Sequence, residues 1–397
     1  MGRWKRTHLV DNRNGKATPA MNENAVLIPV TKDSPEPEAA LRLLSWYDEN
    51  RRILPWREDP APYHVWLSEI MLQQTRVETV REYYARFLSR LPDIEALAAA
   101  EEDVYLKLWE GLGYYSRVRN LHRAAVQIVE ELGGKMPESS DQLQRLSGIG
   151  PYTAAAIASI CFGERIPAID GNLLRIFARM TGYEESIKTD RAKKAAREYY
   201  LAAFSRTRPG DQNQALMDLG AVVCLPRGKP LCERCPWAED CIAHRRHEED
   251  RYPVPEKAKA RPVEKKTVFL VYYDQRLALR KREERGLLAG LYEFPNAEGH
   301  LDRSGAAAHL RSLGFDALRI RRLEPARHVF SHREWDMIGY QILADEWVAF
   351  AEGEPKEHEL FLADARQLKE VYSIPSAFAA YQKAIRFDYL RGGANEY

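Results

Sequence analysis

One short hairpin decides the fold: residues 146–155 are Leu-Ser-Gly-Ile-Gly-Pro-Tyr-Thr-Ala-Ala. It joins two helical patterns, and its glycines, Gly148 and Gly150, permit positive φ and a very tight turn. The backbone N–H groups of such a turn, with the N-terminus of the next helix, form a site for an anion. By itself the turn is equally typical of a plain connection between helices, so its meaning depends on the surrounding sequence.

Helical periodicity surrounds the hairpin on both sides. Apolar residues recur at helical spacing in Ala39–Tyr47, Val65–Val80, Val104–Leu112, Leu121–Leu132, Thr153–Phe162, Asn172–Met180, Arg191–Phe204 and Asn213–Val223. Short breaks separate these segments, several of them at Gly or Pro. We therefore predict an all-α domain over residues 36–247. Residues 1–35 are polar and show no periodicity, which predicts a disordered N-terminal arm.

The character of the sequence changes after residue 247. Residues 248–265 are charged and contain proline, which predicts a linker. Beyond it, strands are predicted at Thr267–Tyr273, Leu277–Lys281, Leu291–Phe294, His328–Ser331 and Asp336–Ala344, and helices at Ser304–Leu313 and Ser376–Ile385. The chain is therefore predicted to be multidomain, with an α+β domain over residues 266–397.

Composition sets limits on function. The 397 residues are enough for two or three domains. A net charge of +1 argues against bulk electrostatic binding of nucleic acid, so a DNA contact must rest on local features. There is no run of about 18 apolar residues, as a membrane span requires, and no apolar signal core at the N-terminus. We expect a cytoplasmic protein, associated with the nucleoid if it is bacterial.

Four of the five cysteines form a cluster in the sequence. Cys224, Cys232, Cys235 and Cys241 lie within 18 residues, with the spacing C-x7-C-x2-C-x5-C. In the absence of a signal peptide they favour a metal or cluster site over disulfides. Thiolates suit both zinc and iron–sulfur, and the spacing alone leaves these two open. The fifth, Cys161, lies in an apolar run and is predicted to be a core residue.

Two carboxylates are candidates for catalysis. Glu69 lies in an apolar stretch, where burial would raise its pKa and suit it to donate a proton. The structural alternative is a glutamate paired with an arginine or a helix terminus. Asp170 follows the apolar residues 166–169 and is suited to cap the next helix, and Asn172 is placed to hold its carboxylate. Cleavage of a glycosidic bond uses such a pair, one acid and one stabiliser of a cation.

Together these motifs resemble the helix-hairpin-helix DNA glycosylases, and more narrowly the MutY-type adenine DNA glycosylases. The resemblance covers about residues 40–247 and rests on LSGIGPYTAAA, IDGN, WLSEIMLQQT, WEGLGYYSRVRNL and NQALMDLGAVVC. It implies excision of adenine mispaired with 8-oxoguanine or guanine in double-stranded DNA. It also implies an enzyme of base excision repair, which we expect to be a monomer.

The resemblance implies roles for the catalytic residues. Glu69 matches the general acid that protonates adenine N7, and Asp170 matches the carboxylate that stabilises the oxocarbenium ion. Tyr152 and Asn172 are implied to orient the site. Members that also cut the strand carry a lysine at the position of Tyr152, as a Schiff-base nucleophile. The resemblance therefore implies a mainly monofunctional enzyme here.

Further residues match the family's contacts with DNA. Adenine must leave the helix to be cleaved, and Gln74 and Tyr114 match residues that wedge beside 8-oxoguanine. Arg57, with Trp56 beside it, is implied to line the adenine pocket.

Three arginines in the same region are candidate phosphate contacts. Arg117, Arg119 and Arg123 follow the GLGYY motif, and no acidic residue lies between Gly111 and Gln127. For Arg123 a solvated helix face is the alternative.

The resemblance also favours one of the two groups that the cysteines could bind, an iron–sulfur cluster rather than zinc. The four residues are implied to hold a [4Fe–4S] cluster, as in most of this family. One departure is the first spacing, which has seven residues here and six in the family pattern. We expect the loop from Leu225 to Leu231 to bulge, which puts its DNA contacts in question more than its binding of the cluster.

The second domain resembles the Nudix-like C-terminal domain of these enzymes, through Gly286–Pro295. The glutamate-rich pattern of a Nudix hydrolase is missing from the sequence, so we expect recognition of 8-oxoguanine rather than hydrolysis. Phe330-Ser331-His332 matches the loop that senses the lesion, with Ser331 and His332 as candidate contacts. Without the resemblance, this tripeptide would be interpreted as a surface turn.

Two rival functions share part of the pattern. A glycosylase or lyase for oxidised pyrimidines has the same hairpin and cluster, but Tyr152 and the second domain count against it. A non-catalytic protein that binds DNA or senses redox state through a cluster is the other rival. The presence of Glu69 and Asp170 counts against that function.

Overall fold

The structure is a computed structural model that describes residues 36–255, 260–348 and 360–387. The predicted arm at residues 1–35 lies outside the described residues, as do residues 256–259 of the predicted linker. The chain forms two compact units. One consists of residues 36–51 and 165–255, and the other of residues 52–164 together with the described residues after 255.

All regular secondary structure in the described chain before residue 250 is helical. The α-helices have the following bounds. They are α1 (Glu38–Asn50), α2 (Pro55–Glu58), α3 (Pro62–Leu72), α4 (Val77–Arg90), α5 (Ile94–Ala98), α6 (Glu102–Trp109), α7 (Ser116–Leu132), α8 (Ser140–Leu143), α9 (Pro151–Phe162), α10 (Gly171–Thr181), α11 (Asp190–Ala202), α12 (Pro209–Val222) and α13 (Ile242–Arg246). No strand precedes Val263 among the described residues, so the predicted all-α character is confirmed. None of the described helices is long and apolar enough to cross a membrane.

The helix predicted at Val65–Val80 is in fact two helices. α3 ends at Leu72 and α4 begins at Val77. Between them Gln74 has a φ of +59°, a left-handed conformation that interrupts a right-handed helix. Periodicity did not reveal the break because apolar residues keep helical spacing across it.

The first unit has a core of large aromatic side chains. α12 packs against α1 and α10, and α10 also packs against α11 and α13. Its aromatic members include Tyr47, Phe177, Tyr200, Phe204 and Trp237. The buried hydroxyl of Tyr200 donates to the Leu173 carbonyl oxygen at 2.7 Å, so its polar end is satisfied. This core holds α10, the helix that follows Asp170.

In the second unit, α3 is the central helix of the helical part. It packs against α4, α7 and α9. Trp66, Leu67 and Met71 on α3 are completely buried. A helix that is apolar on nearly every side is typical of a protein interior. The same burial removes Glu69 from bulk water.

A mixed sheet completes the second unit. Its strands are β1 (Val263–Tyr273), β2 (Arg276–Lys281), β3 (Tyr292–Glu293), β4 (Asn296–Glu298), β5 (Phe315–Val329), β6 (Glu334–Trp347) and β7 (Leu360–Ala363). The order is β3-β2-β1-β6-β5, with β4 paired to β1 and β7 paired to β2. β1 and β6 are parallel and the other pairs antiparallel. Helices α14 (Arg303–Ser312), α15 (Ala365–Glu370) and α16 (Ala379–Gln382) accompany the sheet, as predicted for an α+β domain.

Two elements of this region differ from the prediction. The strand predicted at His328–Ser331 is the end of the longer β5, which stops at Val329. β5 lies at the edge of the sheet and exposes arginines on both faces, so its sequence does not alternate as a half-buried strand does. The helix predicted at Ser376–Ile385 is a 3-10 turn at Ser376–Phe378 followed by the short α16.

The predicted linker at residues 248–265 is ordered at both ends. On its N-terminal side Tyr252 is 1% exposed and belongs to the core of the first unit. Arg179 donates through Nε to the carbonyl oxygens of Glu249 and Tyr252, at 3.1 and 3.0 Å. On the other side β1 already begins at Val263. Proline and charge predicted a linker here because they are surface features, which an ordered loop shares.

Polar contacts join α6 to the sheet part of the second unit. Lys107 Nζ donates to the carbonyl oxygens of Leu368 and Tyr372, at 3.0 and 2.9 Å. Glu110 accepts from the backbone N–H of Ile374 at 2.7 Å and also pairs with Lys107. The end of α6, just before the GLGYY motif, is therefore anchored to residues 368–374.

Candidate active site and cysteine loop

Glu69 is a buried carboxylate with a tyrosine donor. Its side chain lies on α3 and the residue is 5% exposed. Tyr152, in the first turn of α9, donates from Oη to Glu69 Oε2 at 2.7 Å. Because α3 packs against α9, the hairpin that begins α9 also sets this contact. The sequence-predicted residues Glu69 and Tyr152 are thus brought together.

The two hairpin glycines serve different purposes. Gly148 has a φ of +73°, and a Cβ atom there would lie 2.4 Å from Asn120 Cβ, so only glycine fits. Gly150 is extended, with a φ of −86°, and stands at the N-cap of α9. The N–H of Ser147 donates to Gln127 and that of Ile149 to Leu146. Among the described residues nothing accepts from the Gly148 and Gly150 amides, which suits them to an anion.

Asp170 caps α10, as the sequence predicted. Its Oδ1 accepts from the Leu173 N–H and its Oδ2 from Asn172 Nδ2, both at 2.8 Å. Burial raises the pKa of Asp170 above its ordinary value, although these hydrogen bonds oppose the rise. The apolar residues 166–169 before it form no strand. The expectation that Asn172 holds the carboxylate is confirmed by this geometry.

Arg175 connects Asp170 to the cysteine loop, and sequence analysis missed it. Its Nη2 donates to Asn172 Oδ1 at 2.9 Å and to the Gly220 carbonyl oxygen at 2.7 Å. Its Nε donates to the carbonyl oxygen of Cys224 at 2.9 Å. The available signal was a charged residue on the buried side of an otherwise apolar helix, which needs partners.

The four predicted cysteine ligands line one cavity of the first unit. The apolar walls of the cavity include Ile176, Leu219, Val223 and Trp237. Burial raises the pKa of the Cys232 thiol to about 11 and that of Cys235 to about 12. A cation or cluster bound at these sulfurs would stabilise the thiolates and so oppose the rise in their pKa values. The four sulfurs fit an iron–sulfur cluster and also zinc, in a cavity whose lining also includes Arg179, His244 and Glu249.

Two further features surround the cysteines. Arg179 Nη1 donates to Cys224 Sγ at 3.2 Å. Cys232, His244 and Glu249 bring a sulfur, a ring nitrogen and a carboxylate oxygen within 4.8 Å of one another. This second donor set shares Cys232 with the first. Cys161, by contrast, is only partly buried at the end of α9, so its prediction as a core residue is wrong.

Gln74 and Tyr114 occupy two loops of the second unit, after α3 and after α6. Both have left-handed backbones, with φ of +59° and +49°. Tyr114 is 48% exposed, although large aromatic side chains are usually buried. An exposed ring held in an unusual conformation suits contact with a ligand.

The loop Phe330-Ser331-His332 turns the chain between β5 and β6. Phe330 packs against Trp335, with ring centroids 4.9 Å apart, so the base of the turn is anchored. Ser331 and His332 are exposed, and Arg261 donates to the Ser331 carbonyl oxygen at 3.2 Å. The two predicted contact residues are therefore available to a ligand on an anchored turn.

Comparisons with known proteins agree on both parts of the chain. The model of the HhH-GPD superfamily base excision DNA repair proteins matches residues 67–200, and the NUDIX domain model matches residues 267–384. The adenine DNA glycosylase of Mus musculus is 34% identical over an alignment of 362 positions, and the alignment covers 77% of this chain and 70% of the mouse protein. The chain belongs to the adenine DNA glycosylase family. The predicted fold class, a helical helix-hairpin-helix domain followed by a Nudix-like domain, is confirmed.

Another relative and a solved structure show similarity over shorter stretches. The adenine DNA glycosylase of Buchnera aphidicola subsp. Schizaphis graminum is 37% identical over 64% of this chain and 73% of its own length. A thermostable thymine-DNA glycosylase has a TM-score of 0.48 and 27% identity, over 52% of this chain and 95% of that one. The chain is a DNA N-glycosylase.

Two of the three predicted phosphate contacts in this glycosylase are wrong. Arg117 is 9% exposed, and its guanidinium donates to carbonyl oxygens of the protein. Arg119 donates to Glu102 and to the Ala289 carbonyl oxygen, each at 2.7 Å. The sequence could not distinguish these two arginines from Arg123. Arg123 is exposed, and its contact with a phosphate stays a prediction. The side chains of Arg117 and Arg119 face the protein because backbone carbonyl oxygens there need hydrogen-bond donors.

Trp56 and Arg57 of the glycosylase lie on the short helix α2. Trp56 is buried and packs edge-on against Tyr84, with ring centroids 5.3 Å apart. Arg57 donates to the Arg52 carbonyl oxygen at 3.2 Å. Trp56 thus supports the protein core, and the predicted contact of either residue with adenine stays a prediction.

Proposed function

We propose that this glycosylase acts as a monomer that flips adenine from pairs with 8-oxoguanine or guanine and removes it by hydrolysis. The observation that carries the proposal is the buried Glu69 with the hydroxyl of Tyr152 on its Oε2. A carboxyl group held away from water by an apolar helix is suited to donate a proton near neutral pH.

Glu69 supplies the proton that adenine needs to leave. The Tyr152 hydroxyl donates to Oε2 and orients the carboxyl group, whose proton passes to adenine N7. The N-glycosidic bond then breaks with its electron pair on the neutral base. A water molecule attacks the sugar cation, and Glu69 accepts the proton that this water releases.

Asp170 stabilises the sugar cation. Hydrogen bonds to both of its oxygens orient the carboxylate, and burial makes its negative charge costly in the free enzyme. A positive charge that develops at the sugar offsets this cost, so the attraction is stronger in the transition state than in the ground state. A transient covalent adduct between the sugar and Asp170 is compatible with the same placement.

Tyr152 makes the enzyme mainly monofunctional. A strand-cutting glycosylase needs an amine that forms a Schiff base with the sugar. A phenol hydroxyl that already donates to Glu69 offers no such nucleophile. The expected product is an intact strand with an abasic site.

Contacts on both strands complete the recognition of the mispair. The free amides of Gly148 and Gly150 bind a phosphate, while Gln74 and Tyr114 fill the gap left by the flipped base. Arg57 and Trp56 line the adenine pocket. Ser331 and His332 read the 8-oxoguanine edge by hydrogen bonds from their exposed turn.

Cys224, Cys232, Cys235 and Cys241 hold a [4Fe–4S] cluster. Bound there, the cluster cross-links the loop through four thiolates. The chain supports it by the apolar cavity and by the bond from Arg179 to Cys224 Sγ. Iron and acid-labile sulfide should both be near four per chain, on the stoichiometry of such a cluster. Zinc without sulfide would refute the assignment.

A glycosylase assay tests the proposed function. Duplexes pairing adenine with 8-oxoguanine, guanine or thymine are incubated with the wild type and with Glu69→Gln, then divided into samples with and without alkali. We expect strand breaks only after alkali, in the order 8-oxoguanine, guanine, thymine, and none with Glu69→Gln. Breaks without alkali would favour a lyase, and equal cleavage opposite all three bases would refute the specificity.

A further inference from the structure

The loops that carry Gln74 and Tyr114 need contacts that hold them. A left-handed backbone is unfavourable for a residue with a side chain. In the second loop, Gly111 and Gly113 also have positive φ, so its backbone is unusual over several residues. Tyr83 Oη donates to the Glu110 carbonyl oxygen at 2.7 Å, and Trp109 Nε1 to that of Gly113 at 3.1 Å. These bonds act on the second loop alone.

Arg117 bonds to both loops. Its Nη1 donates to the carbonyl oxygens of Ile70, Met71 and Gln73 at 2.8, 3.1 and 2.7 Å, where α3 ends. Its Nη2 donates to those of Leu112 and Gly113 at 3.1 and 3.0 Å. The planar guanidinium therefore sets the distance between the backbone before Gln74 and the backbone before Tyr114.

The surroundings of Arg117 explain how a buried charge is tolerated. Burial lowers the pKa of Arg117 to about 10, so the group remains charged at neutral pH. The last carbonyls of α3 carry the negative end of the helix dipole and offset part of the desolvation cost. The guanidinium carbon also lies 5.2 Å from the Trp109 ring and 5.6 Å from the Tyr114 ring, where cation–π attraction acts.

We propose that Arg117 is a positioning residue for adenine excision, which holds Gln74 and Tyr114 at the spacing they need to enter the duplex together. This inference rests on the wedging roles in the proposed function. Lysine cannot replace the arginine, because a single ammonium group has three donors and no planar fork. The role is distinct from a phosphate contact, since the guanidinium faces the protein.

A double-mutant cycle with Tyr114 tests the proposal. Arg117→Lys, Tyr114→Ala and the double variant are compared with the wild type by single-turnover excision of adenine opposite 8-oxoguanine. We expect Arg117→Lys alone to slow excision by about tenfold to a hundredfold, because a misplaced contact costs that much. In the Tyr114→Ala background the same change should cost less than about twofold. An equal loss in both backgrounds would overturn the proposal.

Further measurements separate positioning from stability and from the proposed function. Arg90→Lys, at an exposed position on α4, is the matched control and should excise adenine like the wild type. If Arg117→Lys does not fold, Arg117→Gln, which leaves no buried charge, is put through the same cycle. Amide hydrogen exchange needs no activity: it should accelerate at residues 73–76 and 110–115 together. Unchanged exchange in both loops would overturn the proposal even in a protein that proved unable to release adenine.

Discussion

The hydroxyl of Tyr152 donates to Glu69 Oε2 at 2.7 Å and links the start of α9 to the end of α3. The hairpin before Tyr152 is the proposed phosphate site, so one turn of chain positions the DNA backbone and the proposed acid. A single short element would therefore fix the position of a phosphate bound at the hairpin amides relative to the proposed acid.

Replacement of Tyr152 by phenylalanine should change the pH profile of excision. A hydrogen bond donated to a carboxylate favours its charged form, so its loss raises the pKa of Glu69. We expect the alkaline limb of the rate profile to move to higher pH and the maximal rate to fall about tenfold, since the carboxyl loses its orientation. Single-turnover rates between pH 5 and 9 measure both effects.

Tyr183→Phe is the matched control for that experiment. Tyr183 also donates to a glutamate, Glu185, at 3.2 Å, but it belongs to the first unit. Its replacement should leave the pH profile unchanged. A profile that is the same for Tyr152→Phe and the wild type would contradict the role of the hydroxyl.

Replacement of Asp170 by asparagine should stabilise the protein and abolish base release. Because burial raises the folded-state pKa of Asp170, its ionised form lowers the free energy of unfolding at neutral pH. This penalty fades as the pH falls through the raised pKa toward the ordinary carboxyl value. We expect Asp170→Asn to gain about 0.5–2 kcal/mol at pH 7 and less near pH 4. Asparagine keeps the cap on the Leu173 N–H, but its Nδ2 cannot accept from Asn172 Nδ2, and this lost bond limits the gain.

Asp302→Asn is the control, because the pKa of Asp302 is shifted in the direction opposite to that of Asp170. Asp302 caps α14, and hydrogen bonds from the Gly305 N–H and Ser304 hold its pKa below the ordinary value. Its replacement should not stabilise the protein at pH 7 and should leave excision intact. Thermal melts at several pH values measure both variants. Substantial adenine release by Asp170→Asn would contradict its role at the cation.

A methyl group at Gly220 should disturb Asp170 from a distance. A Cβ atom there would lie 2.6 Å from Asn172 Cβ, and Asn172 holds the Asp170 carboxylate. Asn172 must shift, so we expect Gly220→Ala to lower the rate constant for excision by about tenfold or more. Duplex affinity, measured with an uncleavable adenine analogue, should change much less. A rate constant equal to that of the wild type would refute this coupling.

Loss of the side chains at Ser331 and His332 should weaken the preference for 8-oxoguanine. Both are exposed on the turn between β5 and β6, so their replacement by alanine should cost little stability. We expect the ratio of excision opposite 8-oxoguanine to that opposite guanine to fall by about tenfold, the value of one lost hydrogen bond. Ser304→Ala with His300→Ala, elsewhere on the same domain, is the control. An unchanged ratio would contradict the sensing role.

Sequence patterns predicted the features that depend on short stretches of chain. The hairpin, the capping role of Asp170 and its bond to Asn172 are local, and each follows from residues within a few positions of one another. Periodicity predicted the helices but missed the break at Gln74, because the apolar spacing runs across it. The burial of Glu69 was predictable because apolar residues surround it on α3.

The roles of arginines were not predictable from the sequence. Arg117 and Arg119 were expected to face DNA, yet they bond to carbonyls up to 170 residues away. Arg175 was overlooked, although it joins Asn172 to Cys224. A guanidinium binds a phosphate and a row of carbonyls with the same donors, so residue type alone cannot separate the two.

The family could thus be inferred from the sequence alone, and so could the candidates proposed as acid and as cation stabiliser, because chemistry requires particular side chains in recognisable local settings. Only the folded chain showed which groups hold them in place. Gly220 and Arg117 have ordinary surroundings in sequence, and their importance comes from neighbours 47 or 48 positions away, such as Asn172 and Ile70. Such contacts depend on how helices pack, since packing joins residues by distance in space rather than by order along the chain.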